Sequence, residues 1–229
     1  MRYMGSKAGI SKEIAPLLMD GHGQDMLYIE PFVGGANMID AIPASVRRIG
    51  YDVNPYLIAL WRAVSNGWTP PETVTEQEYN DAKNNQDKDP VFSAWAGFAC
   101  SFGGKWFGGY ARGNKPDGTP RNHPEEAYRN AMKQFPALRG VQFQCRSVFD
   151  IELPGRATIY CDPPYAGTTK YRTGFDHDKF YDWCRFQAMS GHRVFVSEYA
   201  MPADFRVVWQ KDVNCGLDSK RRVEKLFTL

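Results

Sequence analysis

The residues with the clearest chemical potential are Asp162, Pro163, Pro164 and Tyr165, which directly follow the apolar run 157–161. That short run predicts a buried β-strand, and ligands of open α/β sheets bind outside the carboxyl ends of the strands. The two prolines fix the backbone and remove two N–H donors, which leaves carbonyl oxygens as acceptors. An acid, a carbonyl and an aromatic ring together suit a flat amine, although a capped turn would use the same residue types.

A second candidate site follows another apolar run, residues 26–30, where Gly34 and Gly35 form a predicted turn. Glycine at a strand-to-helix turn lets a ligand approach the backbone closely. Asp52 stands at the end of the next predicted strand, a position where an acid commonly binds the ribose hydroxyls of an adenosine-containing cofactor. The segment contains neither G-x-G-x-x-G nor a P-loop. Three strand ends carrying Gly34, Asp52 and Asp162 therefore predict one ligand site.

The elements around these residues predict an α/β fold. Apolar spacing favours a helix over 7–19 and another over about 55–65, with a shorter helix near 36–42. Further short apolar runs predict the later strands at 141–145, 157–161, 193–197, 206–209 and 223–229. Strands that alternate with helices indicate a mostly parallel sheet. The alternation stops in the middle of the chain, so we expect a core of 1–66 and 139–229 with an insertion at 67–138.

Composition narrows the class of protein. The 229 residues include 43% hydrophobic and 24% charged residues, values near the globular average. We expect no membrane span, no signal peptide and a cytoplasmic protein, because no apolar run is long enough for either segment. Five scattered cysteines without a C-x-x-C argue against a disulfide framework or a cysteine zinc site. The net charge of +2 permits a nucleic-acid partner without requiring one.

These motifs, in this order, resemble the Dam-type (alpha-group) DNA adenine methyltransferases, in particular their solitary, phage-like members. The matching pieces are Tyr3–Lys7, Glu30–Gly35, Asp52–Asn54, Asp162–Tyr165 and Arg222–Leu226. They span residues 2–226, and the insertion matches only in position. Ala36 stands where the family more often has glycine, and the insertion lacks the family's usual Asn-Gly hairpin sequence.

The resemblance implies a Rossmann-like, S-adenosylmethionine-dependent methyltransferase core with helices on both faces of the sheet and an inserted DNA-recognition subdomain. It implies that Asp162, Pro163 and Tyr165 are catalytic. The cofactor-binding residues would be Tyr3, Lys7, Glu30, Phe32, Gly34, Asp52, Val148 and Asp162. It also implies that Arg2 contacts DNA, and neither a metal nor an obligate protein partner is expected.

Methyl transfer to an exocyclic amine requires particular groups in the site, whichever family the protein belongs to. Methyl transfer from a sulfonium to an exocyclic amine is an in-line displacement, and acceptors at Asp162 and the Pro163 carbonyl would free the lone pair of the amine. A base inside double-stranded DNA must be flipped out to reach such a site, where it would stack on Tyr165. The segment 100–122 combines cations, aromatic residues and six glycines between 103 and 118. It is predicted to form a hairpin that grips DNA.

Within this hairpin, Arg112 is the candidate for a bidentate contact to a guanine edge. Lys105 and Arg121 are candidates for phosphate contacts, and Trp106 is the candidate wedge beside the extruded base. The competing interpretation is a glycine-rich hairpin whose aromatic residues pack on the core.

Several functions fit this pattern. The leading one is N6-adenine methylation of double-stranded DNA at a specific site. An exocyclic-amine cytosine methyltransferase makes the same chemical demand, and a protein glutamine methyltransferase would tend to have asparagine in place of Asp162. A non-catalytic DNA-binding protein with a decayed methyltransferase fold and a dinucleotide oxidoreductase complete the alternatives. Roles in restriction-modification, phage defence evasion and gene regulation would all use this chemistry.

Overall fold

The structure is a computed structural model that describes residues 1, 3–165, 174–214 and 221–229. Within these residues lies a seven-stranded sheet with the order β3-β2-β1-β4-β5-β7-β6. The strands are β1 (Leu27–Glu30), β2 (Arg48–Asp52), β3 (Gln142–Cys145), β4 (Ala157–Cys161), β5 (Arg193–Glu198), β6 (Arg206–Asn214) and β7 (Arg221–Thr228). Strands β1 to β5 run parallel to one another, and β7 runs antiparallel to β5 and β6. This is a Rossmann-like sheet that ends in an antiparallel hairpin.

Both faces of the central strands β1 and β4 are buried. Along β1 and β4, Tyr28 and Tyr160 belong to one hydrophobic cluster, whereas Ile29 and Ile159 belong to the other. Successive side chains of a strand point to opposite faces, so the two clusters are the two sides of the sheet. Continuous apolar runs are what strands covered on both faces require.

The helices cover these two faces. They are α1 (Ser11–Met19), α2 (Pro55–Ser65), α3 (Glu76–Asn84), α4 (Pro90–Ala94), α5 (His123–Gln134) and α6 (His177–Met189). Helices α1 and α2 pack on the face of Tyr28, and α6 packs on the opposite face through Phe180 and Cys184. Helix α2 begins where the sequence signals it, because the side chain of Asn54 accepts a hydrogen bond from the Leu57 amide and Pro55 is the first helical residue.

The segment 67–138 contributes α3, α4 and α5 and, among the described residues, no strand of the sheet. It shares a core with α2, since Trp95 and Phe135 belong to the same hydrophobic cluster as Leu57 and Trp61. Trp61 meets Phe135 edge to face at 6.0 Å. A short π-helix, Trp95–Ala99, continues α4, and π-helical turns occur frequently at functional sites.

Two local predictions differ from the structure. The helix expected near 36–42 is wrong, because only a 3₁₀ turn forms at Ile39–Ala41. Ala36 has a φ of 55°, in the left-handed region, which prevents a helix from starting there. The predicted hairpin at 100–122 has no paired strands, but the chain folds back twice through single antiparallel bridges, Ser101 with Tyr110 and Asn114 with Pro120.

Candidate active site

The predicted site residues lie at one edge of the sheet. Strands β1, β2 and β4 are adjacent and parallel, so Glu30, Asp52 and Asp162 stand at the same carboxyl edge. Strand β7 is antiparallel to β5, and the pairing of Glu198 with Lys225 brings Glu224 to that edge too. Because side chains alternate along a strand, Asp162 shares a face with Tyr160, the face on which α1 packs.

Lys7 joins the two ends of the chain at this edge. Its carbonyl accepts hydrogen bonds from the amides of Ile10 and Ser11, which fixes Lys7 at the start of α1. Its Nζ lies 2.9 Å from Asp162 Oδ1 and 3.1 Å from Glu224 Oε1. The same ammonium donates to the Tyr165 hydroxyl at 2.6 Å and lies 4.7 Å from the centre of the Tyr165 ring. An ammonium has three donors, so these contacts can use all of them.

Burial and charge set the protonation of this cluster. Burial raises the pKa of Asp162, while the nearby Lys7 ammonium opposes that rise. Burial alone would lower the pKa of Lys7, but the charges of Asp162 and Glu224 outweigh it, and the pKa of Lys7 is raised. Burial, followed by the two carboxylates, raises the pKa of Tyr165 well above its usual value. Lys7 is therefore a stable cation and Tyr165 a stable phenol near neutral pH.

The glycine loop is held tightly under Tyr3. A Cβ on Gly35 would lie 2.6 Å from Asn37 Nδ2 and 2.8 Å from Tyr3 Cβ, and one on Gly34 would lie 3.0 Å from the Tyr3 ring. Gly34 also has a φ of 44°. Glycine is therefore required at 35 for space and at 34 for conformation. The indole of Trp61 donates to the Gly34 carbonyl at 2.8 Å and fixes the loop from α2.

Asp52 organises the same loop from the end of β2. Its Oδ2 accepts from the Gly34 amide at 3.1 Å, and its Oδ1 accepts from the Asn54 amide at 3.0 Å. Burial raises the pKa of Asp52, although these amide hydrogen bonds counteract the rise. A carboxylate has about four lone-pair sites, so two amide donors still leave acceptor capacity for the hydroxyls of a ligand.

The other predicted cofactor residues surround this edge. Glu30 is buried and accepts from the Tyr28 hydroxyl at 3.2 Å, and burial raises its pKa well above the usual value. Phe32 meets Phe180 edge to face at 5.7 Å. Val148 is buried in the cluster on the α6 face, in a 3₁₀ turn after β3. Their contacts to a cofactor stay predictions.

Glu224 is the site residue that motif reasoning left without a role. It was quoted within the closing motif Arg222–Leu226, yet its side chain contacts both Lys7 and Tyr165. Val223 on β7 is 39% exposed, whereas its neighbour Glu224 is 4% exposed. A regular alternation of buried apolar and exposed polar residues would instead predict a buried Val223 and an exposed Glu224. The available signal was an acid between two basic residues, Arg222 and Lys225, in a strand that the sequence predicts at the end of the core.

The predicted DNA-contacting residues are distributed differently. Arg2 lies outside the described residues. Arg112 is exposed and pairs with Glu76 at 2.5 Å, and Arg121 pairs with Glu126 at 2.6 Å. Both arginines line one open cleft, together with Asn114 and Asn122. Lys105 is half-buried on the preceding loop.

Trp106 packs against its neighbours, in contact with the rings of Tyr56 at 5.0 Å and Phe98 at 4.7 Å. Phe98 in turn contacts Tyr3 at 5.3 Å, which ties the insertion to the glycine loop. Phe102 on the same segment is 52% exposed. The wedge role of Trp106 stays a prediction, and Phe102 is a second candidate with a more accessible ring.

Among the residues that the structure describes, no three His, Cys, Asp or Glu side chains are grouped so that they could hold a metal ion. Over the same residues, each helix is either too short or too polar to cross a membrane.

Together the sheet order, the glycine loop and the acidic strand ends define a Rossmann-like α/β core with a candidate ligand site at its carboxyl edge. Residues 3–97 match the family described as D12 class N6 adenine-specific DNA methyltransferase. This segment contains Tyr3, Lys7, the glycine loop and Asp52, and it ends before Asp162. The match supports the adenine methyltransferase family that the motifs resemble. No curated protein sequence matches the chain.

Solved structures give distant likenesses. One is HI0767 from Haemophilus influenzae, described as a candidate methylase, with 9% identity, a TM-score of 0.38 and coverage of 97% of this chain and 98% of that one. Another is SMU.472, described as a candidate methyltransferase complexed with SAH, with 10% identity and a TM-score of 0.39. That match covers 98% of this chain and 53% of SMU.472. Both are too distant to bear on function.

Proposed function

We propose that this protein transfers a methyl group from S-adenosylmethionine to the N6 amine of adenine at a specific site in double-stranded DNA. The observation that carries the proposal is the cluster of Asp162 and Tyr165 at the end of β4, held by Lys7 beside the glycine loop. The family match to residues 3–97 supports the same chemistry.

The residues present fit the cofactor. Asp52 retains acceptor capacity for ribose hydroxyls, and Gly34 and Gly35 bring backbone close to a ligand. Tyr3 and Phe32 offer aromatic surface on either side of the loop, and Val148 is the predicted apolar contact. When bound, S-adenosylmethionine supplies an electrophilic methyl group on a sulfonium. Glu30 and Lys7 complete the predicted cofactor set.

The protein's own contribution is to position and polarise the target amine. Asp162 and the Pro163 carbonyl accept its two N–H bonds, which localises the lone pair on nitrogen. The nitrogen forms a bond to the methyl carbon, the carbon–sulfur bond breaks and sulfur keeps the electron pair. The surplus proton on nitrogen leaves to Asp162 or to water. In a site of low dielectric such prearranged acceptors are worth several kcal/mol.

The adenine must leave the duplex to reach Asp162, so the function includes base flipping. The ring of Tyr165 is held by Lys7 and by an edge-to-face contact with Tyr199 at 4.7 Å, which makes it a firm stacking surface. The segment 67–138 would grip the DNA, with Arg112 and Arg121 exchanging their carboxylate partners for guanine or phosphate groups. Such exposed pairs are weak enough to exchange.

The central experiment is methylation of unmodified DNA by the purified protein with labelled S-adenosylmethionine, followed by nucleoside analysis and methylation-sensitive sequencing. We expect N6-methyladenine at one short site. Methylated cytosine would assign the alternative exocyclic amine, and cofactor binding without transfer would indicate a decayed enzyme. Asp25→Asn is the matched control for carboxylate variants, because Asp25 is exposed and precedes β1, at the opposite edge of the sheet.

A second experiment tests DNA recognition. Arg112→Ala should relax the preference at one base pair of the site, because a bidentate guanine contact gives about 1–3 kcal/mol of discrimination. Lys105→Ala and Arg121→Ala should weaken binding to all sequences and flatten its salt dependence. If all three variants keep the site preference and the salt slope, the reading residues lie elsewhere.

A further inference from the structure

Glu224 is a buried carboxylate that the methyl-transfer chemistry described above does not use. It stands on β7, 4% exposed, in the closing motif whose role the sequence left open. Its Oε1 lies 3.1 Å from Lys7 Nζ, and it accepts a hydrogen bond from the Tyr165 hydroxyl. A buried charge is normally retained only with partners, and here both partners belong to the proposed active site.

The charges of this cluster do not balance. Two carboxylates, Asp162 and Glu224, share the single ammonium of Lys7. With Lys7 and Asp162 alone, the ammonium would form a one-to-one ion pair and satisfy the acid completely. An acid so paired is a weaker acceptor for another N–H group, because its charge is already neutralised. The second carboxylate, Glu224, shares the charge of the Lys7 ammonium, so Asp162 is only partly neutralised.

We propose that Glu224 is a positioning residue of this site. It takes part of the Lys7 ammonium away from Asp162 and fixes the Tyr165 hydroxyl. Asp162 is thereby kept as a strong acceptor for the target amine, and the Tyr165 ring is kept at one orientation for the flipped base. The inference rests on the proposed function and assigns a role to a strand that the catalytic motif does not include.

The groups around Lys7 come from β4, β7 and β1 and from the residue that follows β5. Asp162 and Tyr165 follow β4, Glu224 lies on β7, and Tyr160 stands behind Asp162 within β4. Glu30 approaches Asp162 from β1, and Tyr199, which follows β5, meets the ring of Tyr165. Of these groups, the carboxylates of Asp162 and Glu224 act directly on the pKa of Lys7 and raise it.

The test compares Glu224→Gln, Glu224→Asp and the control Asp25→Asn. Two quantities are measured: the single-turnover rate of methyl transfer against pH, and the titration of Lys7 by ¹⁵N-lysine NMR in the protein without DNA or cofactor. Glu224→Gln removes the charge and keeps the shape. We expect its rate to fall roughly tenfold to a hundredfold, the range for one lost hydrogen bond to a charged group.

The pH dependence separates positioning from packing. Loss of the Glu224 charge should lower the pKa of Lys7, so its NMR midpoint and the alkaline limb of the rate profile should both move to lower pH. Glu224→Asp keeps the charge, so the midpoint should stay while the rate falls less. An unchanged Lys7 midpoint and alkaline limb in Glu224→Gln would overturn the inference.

The test also covers a variant that fails to fold and a protein that methylates no DNA. If Glu224→Gln fails to fold, Glu224→Asp carries the test, and a wild-type rate in that variant would overturn the orienting role. The NMR titration needs no DNA. A shifted Lys7 midpoint in a protein that methylates no DNA would therefore refute the proposed function while leaving the Glu224–Lys7 coupling in place.

Discussion

Replacing Asp162 by asparagine should lower the methyl-transfer rate and raise the stability of the folded protein. The side chain is 20% exposed and shares Lys7 with Glu224. Asparagine keeps the size of the side chain but removes the charge, which leaves Lys7 and Glu224 as a balanced pair. The cluster would change from two anions and one cation to one of each. The acceptor for the target amine is lost at the same time.

The stability change follows from the direction of the pKa shift. Burial raises the pKa of Asp162 in the folded protein, and Lys7 only partly offsets the effect. The folded protein therefore holds this proton to higher pH than the unfolded chain, so the Asp162 carboxylate costs stability as the pH rises through its folded pKa. Below the unfolded pKa both states are protonated and the cost vanishes. Asp162→Asn should remove this dependence.

The magnitudes are measurable. Loss of one prearranged group for the transition state typically lowers kcat about 10²–10³-fold. Each kcal/mol of relieved strain in a protein of this size raises Tm by about 2–4 °C. Labelled methyl transfer to DNA and thermal unfolding at several pH values give both quantities, with Asp25→Asn as the control. A variant several degrees less stable than wild type, or one that turns over at the wild-type rate, would refute this account of Asp162.

Three further substitutions test neighbouring parts of the site. Gly35→Ala forces a methyl group against Tyr3, so overpacking of about 1–3 kcal/mol should lower Tm and weaken cofactor binding; an unchanged Tm would show that the loop adapts. Asp52→Ala should weaken S-adenosylmethionine binding at least about tenfold by calorimetry while DNA binding persists; equal affinity would remove Asp52 from the site. Phe102→Ala should change stability by less than about 0.5 kcal/mol, because the ring is exposed. Its methylation rate should nevertheless fall, and an unchanged rate would exclude Phe102 as the wedge.

The framework of the fold was predictable because its signals are local. The sequence predicts the strand 157–161 and the helix 55–65 at their observed bounds, because a short apolar run and regularly spaced apolar residues are local signals. Helix α3 was not anticipated, although Thr75 and Glu78 form a capping box. Most residues of α3 are polar, and only Tyr79 and Ala82 are buried, so the sequence offers little apolar periodicity.

The parts of the site that escaped prediction depend on long-range pairing. Asp162 and Lys7 could be proposed from motifs, but that they share one ion-pair cluster with Glu224 depends on the order of β4, β5 and β7 in the sheet. The turn at 36–42 likewise depends on Ala36 adopting a left-handed conformation beneath Tyr3. Neither the strand order nor that backbone conformation is encoded in a local pattern.

The core that segment 67–138 shares with α2 would limit how an enzyme of the proposed function could acquire a new DNA target. Trp95 and Phe135 pack with Trp61, which also holds the glycine loop. Transplanting the whole segment 67–138 from a relative would replace part of this packed core, and we expect it to disturb the glycine loop that Trp61 holds. Residues 112–122 are all exposed. We therefore expect natural drift in sequence preference, and any successful engineering of it, to concentrate in these eleven residues, about five per cent of the chain.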